Sequence, residues 1–198
     1  MKIIIDSREQ NPYTFGDYPA EVIPGTLQTG DYSLHGFDRP AGGIAIERKE
    51  LPDLLGCLTH DRERFLRELD RLMAFQTAAL VIEAPLSLIR AHCYRSRITP
   101  EAAEQSLVSI MANYRLPVYF AMDRADGEKF VYDFLRHFHR HAEAHYKACF
   151  AGSGGEPPGN RPEGPPEGGT PRGTPHPGRV LSREGGSCEV EGAGLTLR

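Results

Sequence analysis

The chain has 198 residues, and its 27 Asp and Glu against 23 Lys and Arg give a formal net charge of −4. This mild acid excess excludes a uniformly basic nucleic-acid coat, but it leaves room for a local carboxylate site with a basic rim. The four scattered cysteines form no C-x-x-C pair and favour a reducing cytoplasm over a disulfide framework. Without an apolar run long enough for a membrane span or a signal peptide, the sequence predicts a cytoplasmic protein with no membrane contact.

Composition divides the chain close to residue 148. Residues 151–198 contain 13 of the 21 Gly and eight of the 16 Pro. Such a segment buries too little apolar surface to offset the entropy lost on ordering, about 1–2 kcal/mol per residue for the backbone. We therefore predict one folded domain over residues 1–148 and a disordered Gly/Pro-rich tail over residues 149–198.

The first half of the predicted domain contains four short strands followed by two helices. Residues 3–6, Ile-Ile-Ile-Asp, form a β-branched run that ends in a charge, as in a buried strand with polar groups at its C-terminal end. A second strand is predicted around Val22. Residues 30–34 and 43–48 are typical of the two arms of a hairpin with a long loop. Leucines at helical spacing predict helices over residues 50–58 and 60–76.

The second half alternates strands with helices. Residues 79–83 form an apolar strand, and Thr99 followed by Pro100 is a typical helix start for a helix that runs to about Tyr114. Residues 117–122 predict a strand and residues 127–146 a final helix. This order of elements predicts an α/β fold, a sandwich with a mixed central sheet.

Three charged residues of the hairpin have the chemistry of a hydrolytic metal site. Residues two apart on a strand share a face, so Glu47 and Lys49 point the same way and Asp31 can lie across from them on the other arm. Carboxylate oxygens suit Mg²⁺ or Mn²⁺, and a metal with a nearby cation is what phosphodiester hydrolysis requires. The alternative from the residues alone is a surface ion-pair network.

These residues belong to an ordered set of motifs. The set comprises Ile-Ile-Ile-Asp-Ser-Arg-Glu at 3–9, Gly-Asp-Tyr at 30–32, and Glu-Arg-Lys at 47–49 followed by Asp53. It resembles the XPF-type nuclease domain of structure-specific endonucleases, a branch of the PD-(D/E)XK superfamily, in a short stand-alone form like that of prokaryotic or phage members. The resemblance implies a restriction-endonuclease-like three-layer sandwich with a mixed central sheet.

The resemblance also implies roles for individual residues. Asp31 and Glu47 would ligate the metal together with the backbone carbonyl of Arg48, and Lys49 would orient or activate the attacking water. Asp6 would be a further ligand or would lie beside the metal. Arg8 and Arg48 would pair with phosphate or with nearby carboxylates, whereas Asp53 would hold Lys49 or an arginine. A first-turn helix carboxylate remains the alternative for Asp53.

Two groups of arginines are candidate DNA contacts. Arg62 and Arg64 belong to a predicted helix on which arginines alternate with acids, so a solvated surface is the alternative. Arg95 and Arg97 lie in a basic segment without acidic residues, which is either a DNA contact or an exposed connector.

The function implied by the resemblance is a Mg²⁺- or Mn²⁺-dependent endonuclease. Its expected substrate is branched or flapped DNA, in repair, recombination or mobile-element processing. A homodimer through the last two helices is expected from the family. The alternatives are a catalytically inactive DNA-binding module and a nuclease subunit that depends on a separate DNA-binding partner.

Overall fold

The computed structural model describes residues 1–151, with side chains as far as residue 148. Six strands form one mixed sheet in the spatial order β2-β1-β3-β4-β5-β6. The strands are β1 (Lys2–Asp6), β2 (Glu21–Gly25), β3 (Tyr32–Leu34), β4 (Ile44–Glu50), β5 (Thr77–Glu83) and β6 (Val118–Phe120). The pairs β1–β3 and β3–β4 are antiparallel, whereas β1–β2, β4–β5 and β5–β6 are parallel.

Five helices within residues 1–151 accompany the sheet. They are α1 (Leu51–Leu58), α2 (Arg62–Leu72), α3 (Leu86–Arg90), α4 (Pro100–Tyr114) and α5 (Arg124–Ala151). As the sequence predicts, Thr99 caps α4: its side chain accepts a hydrogen bond from the backbone N–H of Ala102, at 3.2 Å. Within residues 1–151, no helix combines the length and the apolar character needed to span a lipid bilayer.

Alternating residues of the central strands pack into two separate hydrophobic cores. Leu80 and Ile82 pack with apolar residues of α1, α2 and α4, whereas Val81 packs with apolar residues of α5. Because successive strand residues point to opposite faces, the sheet lies between two helical layers. The predicted α/β sandwich with a mixed central sheet is therefore confirmed.

Two helices differ from the sequence prediction. Helix α3 was not expected, because five residues are too few for an apolar periodicity to be read. Helix α5 begins at Arg124, before the predicted start at Gly127, and Gly127 lies inside it, where a Cβ would clash with the Tyr13 hydroxyl. The predicted tail over residues 149–198 lies almost entirely outside the described residues.

Candidate active site

Asp31 is fixed between the two strands that flank β3. Its backbone N–H donates to the carbonyl of Ile46 in β4 at 2.8 Å, and its own carbonyl accepts from the N–H of Asp6 in β1 at 2.9 Å. Its carboxylate accepts a hydrogen bond of 2.7 Å from the backbone N–H of Arg48. The carboxylate therefore lies at the edge of β4, beside the Glu-Arg-Lys segment.

Gly30 permits this approach. Its φ is +80°, and a Cβ would stand 3.1 Å from the Ile46 carbonyl oxygen. A side chain at this position would incur both backbone strain and a close contact with β4. The glycine of the Gly-Asp motif is thus what brings the Asp31 backbone against β4.

Gly30→Ala is expected to destabilise the fold by about 2–3 kcal/mol, from left-handed strain plus displacement of β4. Gly36→Ala is the matched control: its φ is +85° but nothing lies within 4 Å of the added Cβ. The control should lose only about 1 kcal/mol. Urea unfolding of both variants measures the difference, and equal losses would show that the approach to β4 does not constrain residue 30.

Glu47 and Lys49 extend from the same face of β4, on the side covered by α1 and α2. The Glu47 side chain is 3% exposed and forms a direct ion pair with Lys49. The Lys49 Nζ also lies 3.6 Å from an oxygen of Glu68, which projects from α2. Asp31, Glu47 and Lys49 are thus brought together, with Glu68 as a fourth charged member.

Burial controls the ionisation of this cluster. Burial raises the pKa of Asp31 to about 6, although the hydrogen bond from the Arg48 backbone acts in the opposite direction and lowers this pKa. Burial and the adjacent Asp31 carboxylate raise the pKa of Glu47 well above its ordinary value. Burial alone would lower the pKa of Lys49, but Glu47 and Glu68 raise it above the ordinary value, so Lys49 is an ammonium at neutral pH. The two carboxylates therefore lack sufficient compensating positive charge.

Asp6 is buried close by, but its carboxylate is already engaged. One oxygen accepts from the backbone and the Nε of Arg8, at 2.9 and 2.7 Å. The other accepts from Arg8 Nη2 at 2.9 Å and from the Leu27 N–H at 2.7 Å. These bonds overcome burial and hold the pKa of Asp6 below its usual value. Both oxygens of Asp6 thus already accept hydrogen bonds from Arg8 and Leu27.

The Arg48 side chain points to the opposite face of β4 from Glu47 and Lys49. It is 6% exposed and pairs with Glu9 at 3.0 Å and with Glu83 at 2.6 Å. Glu83 also pairs with Arg124 at 3.3 Å. We call these four residues the Glu83 network. Of the two partners expected for Arg48, the side chain takes carboxylates, because the strand alternation directs it to the face of β4 where Glu9 and Glu83 lie.

Asp53 lies in the first turn of α1, and the role that the resemblance implies for it stays a prediction. It is exposed in the first turn of α1 and lines the groove, but it forms no ion pair within residues 1–148. Glu68 contacts Lys49 instead. The physical reason is that residue 53 faces solvent at the start of α1, whereas residue 68 faces β4 from α2.

The candidate DNA-binding arginines occupy three different surroundings. Arg64 is 73% exposed and lines a groove of about 710 Å³ beside Asp31 and Lys49. Arg62 reaches toward α4, where it contacts the Ser106 hydroxyl at 3.5 Å. Arg95 and Arg97 are exposed in the segment after α3 and do not line the groove. The structure therefore brings only Arg64 of this set to the candidate site.

Glu68 and Glu83 were not singled out from the sequence. Glu68 had a usable signal: it stands three residues after Phe65 and four before Leu72, both buried, so it belongs to the inward stripe of α2. Glu83 ends an apolar strand, but its partners come from residues far along the chain. No spacing rule connects those positions.

The donor set fits a hard divalent cation held at an open site. Among the described residues, no group of three or more His, Cys, Asp or Glu side chains is arranged to hold a metal ion. Asp31, which is partly buried and lines the groove, and Glu47, which is buried, place two neighbouring carboxylates beside the groove. Mg²⁺ is usually bound in this way, through one or two carboxylates, waters and substrate phosphate. A cation there would relieve the repulsion that raises the pKa of Glu47.

A mixed sheet between helical layers, with Asp, Glu and Lys gathered beside one central strand, defines a restriction-endonuclease-like fold. The chain matches the ERCC4 domain over residues 5–134. It therefore belongs to the ERCC4 domain family, which confirms the resemblance to an XPF-type nuclease domain.

Solved structures agree with this fold. XPF from Aeropyrum pernix is similar to the chain with a TM-score of 0.55 and 21% identity, over 69% of this chain and 60% of that one. XPF from Aeropyrum pernix in complex with DNA has a TM-score of 0.50 and 20% identity, over 74% and 66%. The chain thus spans less than two thirds of these proteins, and at such identity the likeness shows the fold. No curated protein sequence matches the chain.

Proposed function

We propose that the protein is a Mg²⁺- or Mn²⁺-dependent endonuclease that hydrolyses phosphodiester bonds in DNA. The observation that carries this proposal is the partly buried Asp31 beside the buried Glu47, which contacts the Lys49 ammonium, at an open polar groove. Family membership supports the same reaction.

Each residue of the site has its own role in the proposed hydrolysis. Asp31 and Glu47 hold the cation, with the Arg48 carbonyl as the further ligand that the resemblance implies. Bound there, Mg²⁺ or Mn²⁺ supplies a Lewis acid for the phosphoryl oxygen and a water of lowered pKa. Lys49 is cationic, so it orients the attacking water and stabilises negative charge that develops on the phosphate. Asp6 keeps Arg8 in place.

The rim of the groove is suited to a nucleic-acid backbone. Arg8 and Arg64 line it, and their side chains are 66% and 73% exposed. Exposed guanidinium groups bind phosphates without reading base sequence. Glu47 is buried, whereas the Arg8 and Arg64 guanidinium groups are exposed on the rim, which lets a negatively charged backbone approach an acidic centre.

The substrate class and the assembly follow from the family. We propose branched or flapped DNA in repair, recombination or mobile-element processing, cut in the cytoplasm. A homodimer through α4 and α5 is supported by exposed apolar side chains on α4, Val108 at 45% and Met111 at 38%. The remaining arginines, Arg62, Arg95 and Arg97, are proposed as outer DNA contacts.

Cleavage of four labelled DNAs tests the proposal. We expect cutting of 3′-flap and splayed-arm DNA with Mg²⁺ or Mn²⁺, no cutting with EDTA, and weaker cutting of Holliday junctions and plain duplex. Wild-type protein that binds these DNAs and cuts none, with either metal, would favour the inactive or partner-dependent module instead.

A further inference from the structure

Lys49 has two carboxylate partners from different elements. Glu47 belongs to the same strand and is in direct contact with the ammonium, whereas Glu68 comes from α2 and lies 3.6 Å from Nζ. The Lys49 side chain is 16% exposed and that of Glu68 is 23% exposed. The ammonium is therefore enclosed between a buried carboxylate and a partly open one.

Glu47, the carboxylate in direct contact with Lys49, is also the proposed ligand of the divalent cation. Glu47 is the more deeply buried carboxylate, at 3% exposure, and one of its oxygens is taken by Lys49. A divalent cation on the same carboxylate would stand beside the ammonium, and two positive charges at such separation repel strongly at low dielectric. Cation binding therefore favours movement of Lys49 away from Glu47.

Glu68 is placed to accept that movement. A shift of about 1 Å would convert the present separation into a charge-assisted hydrogen bond. Lys49 would remain paired and close to the groove, so its ammonium would stay available for catalysis. None of the other described carboxylates is in an ion pair with Lys49.

We infer that Glu68 is a positioning residue that receives the Lys49 ammonium when Glu47 ligates a divalent cation. This rests on the proposed function in one respect, the binding of the cation by Asp31 and Glu47. Without Glu68, the cation must compete with Lys49 for Glu47.

A double-mutant cycle with Mn²⁺ alone tests this without DNA. Free Mn²⁺ is followed by its EPR signal while MnCl₂ is titrated into wild type, Glu68→Gln, Lys49→Met and the double variant. We expect Glu68→Gln to weaken Mn²⁺ binding about tenfold in the wild-type background and less than about twofold in the Lys49→Met background. Glu63→Gln, the same change at an exposed position of α2, should have no effect.

The outcomes separate the inference from the proposed function. Equal weakening by Glu68→Gln in both backgrounds would mean that Glu68 acts on the cation directly, and unchanged affinity would mean that it has no role; either overturns the inference. Wild type that binds no Mn²⁺ would overturn the inference and the metal site together. Thermal melting verifies folding of each variant, and Lys49→Gln replaces Lys49→Met if the latter does not fold.

Discussion

Asp31→Asn is expected to stabilise the metal-free protein by up to about 3 kcal/mol near pH 8, because burial raises the pKa of Asp31 from 3.8 to about 6 and each pKa unit is worth about 1.4 kcal/mol. The amide oxygen can still accept the hydrogen bond from the Arg48 backbone. The same variant should lose the stabilisation that Mg²⁺ gives to wild type. Urea unfolding with EDTA and with Mg²⁺ measures both effects.

The pH dependence of wild type has a defined direction. Below the unfolded-state pKa, near 3.8, Asp31 is protonated in both states; between 3.8 and about 6 the folded state binds more protons. The stabilising contribution of the protonated carboxyl is therefore lost as pH rises through this window. Asp31→Asn should remove that part of the decline in metal-free protein. An unchanged decline, or a variant less stable than wild type at about pH 8, would contradict the assignment.

Glu83→Gln is expected to destabilise the fold by about 3–5 kcal/mol, because two arginines lose a buried counter-charge. Glu83 is 7% exposed and accepts from Arg48 at 2.6 Å and from Arg124 at 3.3 Å. The Tyr13 ring lies against both guanidinium groups, 5.6 Å from Arg48 and 5.0 Å from Arg124. Chemical denaturation monitored by circular dichroism gives the loss.

Glu21→Gln is the matched control for Glu83→Gln. Glu21 also forms an ion pair, with Lys2 at 3.1 Å, but its side chain is 57% exposed. Exposed pairs contribute about 0–1 kcal/mol, so this variant should be close to wild type. Similar losses for the two variants would show that the Glu83 network is not a buried charge network.

The sequence predicted most of the structural features that depend on residues close together in the chain or on paired strands. The hairpin arms place Asp31 across from Glu47 and Lys49, and alternation along β4 explains why Arg48 points the other way. The chain motifs were also sufficient to identify the family. These features share one property: each follows from residues that are neighbours on one strand or on two paired strands.

The side-chain contacts that the sequence did not predict depend on how the helices pack on the sheet. Glu68 reaches Lys49 only because α2 crosses the face of β4, and no local pattern gives that crossing. Glu83 and Arg124 meet because the start of α5 lies over the end of β5. The solvent-facing place of Asp53 in α1 depends on the same packing. Side-chain partners between distant segments require the tertiary structure.

Cleavage of a labelled 3′-flap DNA by Glu47→Gln in Mg²⁺ is the most direct measurement of the proposed reaction. Glu47 is buried, pairs with Lys49 and feels the charge of the neighbouring Asp31 carboxylate. We expect wild type and the exposed-residue control Glu63→Gln to cut the flap at similar rates, and Glu47→Gln to be slower by about 10³-fold or more. Cutting by Glu47→Gln at the wild-type rate would contradict the assignment of this cluster as the catalytic centre.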